Sequence, residues 1–207
     1  MAVPRLTTKA QLRRFAEYRG FDNTQKDFLV NAIGQDIEAS SANQALLTTA
    51  GAGALGTGGF YNSGVTKDGS IFTTRILIDL TGLASSTTDL DIIGVSTTPA
   101  YIGRITTAQN GLIQAGRVTC LEAPAGGVAD IDVYGAVEAT GVFDSPVGDL
   151  TETILLTNGA SWTLGMTKGL VTVPAADAYI YLTGGAAGTA ATYTAGKFML
   201  EFFGVAA

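Results

Sequence analysis

The 207-residue chain contains no histidine, one cysteine and five prolines, and only 14% of its residues are charged. Each shortage excludes something. Without histidine there is no Ser-His-Asp or Cys-His nucleophile and no histidine-ligated zinc. A single cysteine, Cys120, cannot form an intrachain disulfide. It sits in Arg117-Val118-Thr119-Cys120-Leu121, which alternates like a strand, so a buried and inert thiol is expected. Long apolar runs are missing too. The two charge-free stretches, 39–66 and 178–196, are interrupted by Gly, Thr, Ser or Asn, and no membrane span is expected. Met1–Phe15 is charged and lacks the apolar segment of a signal peptide.

What is present suits a β-rich body with a large core: 46% hydrophobic residues and 27 glycines. The net charge of −6 is unevenly spread. Residues 1–30 carry six bases against three acids, a net of +3, and the other six bases and fifteen acids leave −9 on the remainder. Such asymmetry can steer docking. Six bases diluted by three acids make a weak phosphate footprint, so no nucleic-acid partner is expected.

The chain changes character along its length. Residues 1–50 read as a short helical arm. Leu12, Phe15 and Ala16 share one face of a helix over Thr8–Arg19. Thr24-x-x-Asp27 is a capping box for a second helix with Phe28, Leu29, Ala32 and Ile33 on its stripe and Gly34 as its stop. Residues 35–50 suggest a third, weaker helix. These stripes are too small for a core of their own and need docking to be covered. Arg5, Leu12, Arg13, Arg14, Phe15, Arg19, Phe28 and Leu29 are therefore the expected partner-binding residues. Residues 51–66 read as a glycine-rich linker.

From residue 67 to 207 the period is two. Phe72, Ile76, Ile78 and Leu80 alternate with Thr73, Arg75 and Asp79; over Asp130–Glu138, Ile131, Val133 and Val137 alternate with Asp130, Asp132, Tyr134 and Glu138; Phe198, Leu200 and Phe202 alternate with Met199, Glu201 and Phe203. Tyr179–Leu182 and Arg117–Leu121 alternate likewise, and 91–95, 101–106, 151–157 and 169–173 are shorter candidates. About nine short strands with turn signals such as Pro124-Ala125-Gly126-Gly127 and Asn158-Gly159 predict an all-β fold. The expected form is an antiparallel β-sandwich of the jelly-roll type behind a helical arm.

No motif carries chemistry. Gly51-Ala-Gly53-Ala-Leu-Gly56 matches G-x-G-x-x-G but lacks the preceding strand and following helix that a phosphate loop requires. Asp89-x-Asp91 and Asp130-x-Asp132 have the residue type for calcium, but alternation explains them as solvated outward positions. Nothing sets two acids around a sugar site. Trp162 reads as core packing rather than as a sugar platform. The expectation is a protein that is not an enzyme and needs no cofactor and no metal.

Over about residues 71–204 the chain resembles a group of virion structural proteins of tailed bacteriophages. The residues that carry this are Arg104–Val142, RITTAQNGLIQAGRVTCLEAPAGGVADIDVYGAVEATGV, and Ala178–Gly204, AYIYLTGGAAGTAATYTAGKFMLEFFG. The resemblance implies a virion structural protein, for which a head, neck or tail position would all fit; the leading expectation is a capsid decoration or cement protein on the outer surface of the virion, with the phage major capsid protein and further copies of itself as partners. A homotrimer is the assembly that shell geometry favours. The alternative is a host-recognition module binding glycan through aromatics such as Trp162 or Tyr134.

Overall fold

The structure, a computed structural model, describes residues 50–57, 61–188 and 190–206. The arm expected over 1–50, with its eight partner-binding residues, lies outside this range except for Ala50.

Eleven strands form here: β1 (Tyr61–Asp68), β2 (Ile71–Asp79), β3 (Ala84–Ser85), β4 (Gly103–Arg104), β5 (Leu112–Ala125), β6 (Ile131–Ala136), β7 (Glu152–Leu156), β8 (Thr167–Gly169), β9 (Tyr179–Gly184), β10 (Ala191–Thr192) and β11 (Ala195–Val205). One turn of helix, α1 (Thr107–Asn110), precedes β5, capped by the Thr106 hydroxyl accepting from Gln109 N–H. All pairings are antiparallel. One sheet runs β1-β2-β11-β5-β8, a second β4-β9-β6-β7, and β10-β3 make a small third. The pairs β2·β11, β4·β9, β5·β8 and β6·β7 are nested in sequence, first with last and inward. The all-β expectation therefore holds.

Alternation built the core as predicted on the long strands. Ile76 and Ile78 of β2, Val118 and Cys120 of β5, and Phe198, Leu200 and Phe202 of β11 meet Ile131, Val133, Leu155, Ile180 and Leu182 from the other sheet in one apolar cluster. Covering each such side chain contributes about 1.5–3 kcal/mol. Cys120 is buried and unpaired, and burial pushes its thiol upward, as an inert core thiol should be. Trp162 is also core: it packs edge-on against Phe198, and its indole N–H donates to the Ile131 carbonyl at 2.8 Å.

The second sheet departs from the alternating picture. Every residue of β6 is buried. Its outward residues Tyr134 and Ala136 join Tyr181, Ile92, Ala100 and Val147 in a second cluster, because loops cover that face. Asp132 is thus not a solvated outward position. Similarly, the strand expected over 169–173 is displaced to β8, and 91–95 makes only isolated bridges.

The glycines at 51–57 serve close approach rather than freedom. Gly51 N–H donates to Tyr101 O, Gly53 N–H to Pro99 O, and Val95 N–H to Gly53 O. A Cβ on Gly51 would come within 2.2 Å of Pro99 O. Strand β1 starts at Tyr61, inside the stretch expected as linker.

Candidate functional site

Two places on this scaffold depart from an ordinary β surface. The first is an acidic corner where β6 begins, β9 ends and the chain leaves β7. Asp132 opposes Thr183 across the β6·β9 ladder, so their side chains are neighbours on one face. On its other side Asn158, just past β7, donates its backbone N–H to Asp132 Oδ1 at 2.6 Å. Asp130, two residues earlier, lies on the same side of the strand. Gly185 faces both acids: a Cβ there would lie 2.8 Å from Asp130 Oδ1 and 2.9 Å from Asp132 Oδ1.

Burial pushes the Asp132 carboxyl upward, the negative charges of Asp130 and Asp89 add to that, and the Asn158 hydrogen bond opposes it. Lys168 also opposes it, from a position where its ammonium is bonded to Asn158 O. Asp91 lies in the covering loop, with Ser86 Oγ donating to its Oδ2 at 2.7 Å. Among the described residues no three carboxylate, cysteine or histidine side chains converge as a metal cluster. The sequence singled out Asp89, Asp91, Asp130 and Asp132. It offered no sign of Thr183 or Asn158, which join them only through strand register.

The second is the side where β8 and β7, the last strands of the two large sheets, come together. Val171 N–H donates to Leu155 O, and Gly165 N–H to Cys120 O, which ties the 163–171 segment to both sheets. Along this segment Leu164, Val171 and Val173 are between 37% and 72% exposed. Charge is nearly absent: residues 153–176 hold one charged side chain, Lys168. That gap in charge was visible in the sequence and was the signal to follow.

The outer face of the five-stranded sheet differs in character. Glu201 is buried there between two half-exposed arginines, 2.9 Å from Arg75 Nε and 2.5 Å from Arg117 Nε. Burial resists its ionisation, but the two guanidiniums prevail and hold its carboxyl below the usual range. Lys197 bonds Glu122 at 2.5 Å beside them.

Trp162 and Tyr134, the aromatics a glycan groove would have used, are both buried. No helix among the described residues is long and apolar enough to cross a membrane. No protein-family model, curated protein or solved structure matches this chain.

Proposed function

We propose that this is a non-enzymatic virion structural protein, a capsid decoration or cement protein that sits on the outside of a phage head and stabilises it. In this reading the fold is a jelly roll. What supports it is the nesting of the strand pairs, split over two sheets as β2-β11-β5-β8 and β4-β9-β6-β7; β1 is then an added edge and residues 1–50 the helical arm. The β body contacts its own copies, as a homotrimer, and the arm contacts the phage major capsid protein.

The observation that carries the reading is the uncharged apolar side at β7 and β8. Exposed ion pairs contribute only about 0–1 kcal/mol each, whereas covering a Val or Leu contributes about 1.5–3 kcal/mol. A chain that leaves Leu164, Val171 and Val173 exposed in one nearly charge-free segment is suited to association through it. Repeated modest contacts on a shell then add through multivalency. The glycan-binding alternative has no exposed aromatic among the residues first considered for it.

The test combines sedimentation with particle binding. The wild-type protein should be a closed oligomer, three copies, at micromolar concentration and should bind phage heads lacking it, with electron microscopy locating it on the outer surface. Leu164→Asp with Val171→Asp should give a monomer with lower occupancy. A variant that still trimerises and binds normally removes the apolar side as the contact. Wild-type protein located inside the head, or on tail fibres with affinity for surface glycan, overturns the decoration reading.

A further inference from the structure

The acidic corner is built from more than acids. Asp132 is 1% exposed, Thr183 0% and Asn158 6%. Within this corner three buried oxygens have no hydrogen-bond partner: Asp130 Oδ1, Asn158 Oδ1 and Thr183 Oγ1. A buried polar atom without a partner costs about 1–3 kcal/mol, and native folds carry few of them. Here they belong to the residues that flank Asp132, at the start of β6, the exit of β7 and the end of β9.

We infer that the corner formed by Asp130, Asp132, Asn158 and Thr183 binds a hard divalent cation of the calcium class, with Gly185 leaving the space for it. The chemistry of the donors selects the ion. All are oxygens, two of them carboxylates, one an amide and one a hydroxyl, which suits calcium and not zinc or copper. Four protein donors completed by water suit the flexible coordination of calcium by six to eight oxygens better than the strict octahedron of magnesium. Charge agrees: Asp130, Asp132 and the nearby Asp89 bring −3, Lys168 brings +1, and a divalent ion neutralises the balance. The glycine matters as space. A methyl at residue 185 would press on both carboxylate oxygens, closing the corner without removing a charge.

Terbium is the probe, since it replaces calcium and emits when a nearby aromatic is excited. The only tryptophan, Trp162, is anchored to Ala129 O and Ile131 O, on either side of Asp130. Excitation at 280 nm should give terbium emission in the wild-type chain that calcium displaces. Asp132→Asn and Gly185→Ala should lower it at least tenfold, while Asp149→Asn, at an exposed turn, leaves it unchanged. Millimolar calcium should raise the melting temperature of the wild-type chain by several degrees, and EDTA should reverse this. Emission equal in wild type and Asp132→Asn overturns the proposal, as does a melting temperature indifferent to calcium and EDTA. If Asp132→Asn fails to fold, Gly185→Ala and Asp130→Asn carry the same comparison.

Discussion

Two buried carboxylates of this chain respond to pH in opposite directions. Glu201 has its folded value lowered by Arg117 and Arg75 against the effect of burial. Its contribution is full above the ordinary glutamate range and is lost as pH falls through the lowered value. Glu201→Gln should cost about 1–2 kcal/mol at pH 7, allowing for the solvent screening of two half-exposed arginines. That cost should shrink in acid, as melting curves across pH would show. Asp132 has its folded value raised, first by burial. The folded state then holds its proton to higher pH than the unfolded chain, so stability falls as pH rises through that interval. In EDTA at pH 7, Asp132→Asn should raise the melting temperature, and the gain should vanish below the ordinary aspartate range. A wild-type chain more stable than Asp132→Asn in EDTA at pH 7 would mean that Asp132 has partners beyond Asn158. Trp162 belongs at this scale too. Trp162→Ala removes a packed ring and leaves Ile131 O without its donor, and should cost about 3–5 kcal/mol by denaturant titration.

At the scale of elements, residues 51–57 invite a direct comparison. A flexible linker tolerates alanine, whereas a packed segment does not. A Cβ on Gly53 would stand 2.2 Å from Thr98 O and 2.9 Å from Pro99 O, both backbone and unable to yield cheaply. Gly53→Ala should therefore destabilise by about 1–3 kcal/mol. Gly148, in the 3-10 turn Val147–Asp149, has nothing within 4 Å of its added Cβ. Gly148→Ala should stay within about 0.5 kcal/mol of the wild type. Equal melting temperatures for the two variants would return 51–57 to the status of a tether.

For the whole molecule, the same hydrogen bonds say where the chain can be cut. Removing residues 1–49 should leave a soluble protein that melts in one transition, because Gly51 and Gly53 keep their partners on Tyr101 and Pro99. Removing residues 1–57 should lower the melting temperature, since Tyr101 O, Pro99 O and Val95 N–H lose theirs. Under the decoration reading the first deletion also abolishes binding to phage heads. Phe15→Ala with Phe28→Ala weakens binding more than Arg13→Ala with Arg14→Ala, because apolar stripes outweigh exposed charges. Calorimetry and particle sedimentation measure the two effects separately.

The sequence by itself determined the long strands and their inward faces. Ile76 and Ile78, Val118 and Cys120, and Phe198, Leu200 and Phe202 were legible because each strand has one wet and one dry face, and period two records that difference. It also determined that Trp162 and Cys120 belong to the core, and that no histidine chemistry is available. The tertiary structure alone decided what covers the second sheet. Once the loops carrying Ile92, Ala100 and Val147 lie over β6 and β9, both faces are buried and alternation no longer separates inside from outside. Asp132 was misplaced for that reason. Register across β6·β9, which no local pattern specifies, set Thr183 beside Asp132, and the path of the chain past β7 set Asn158 on its other flank. Gly51, Gly53 and Gly185 make the same point: in sequence a glycine can signal freedom or lack of room, and only the atoms standing 2–3 Å away decide which.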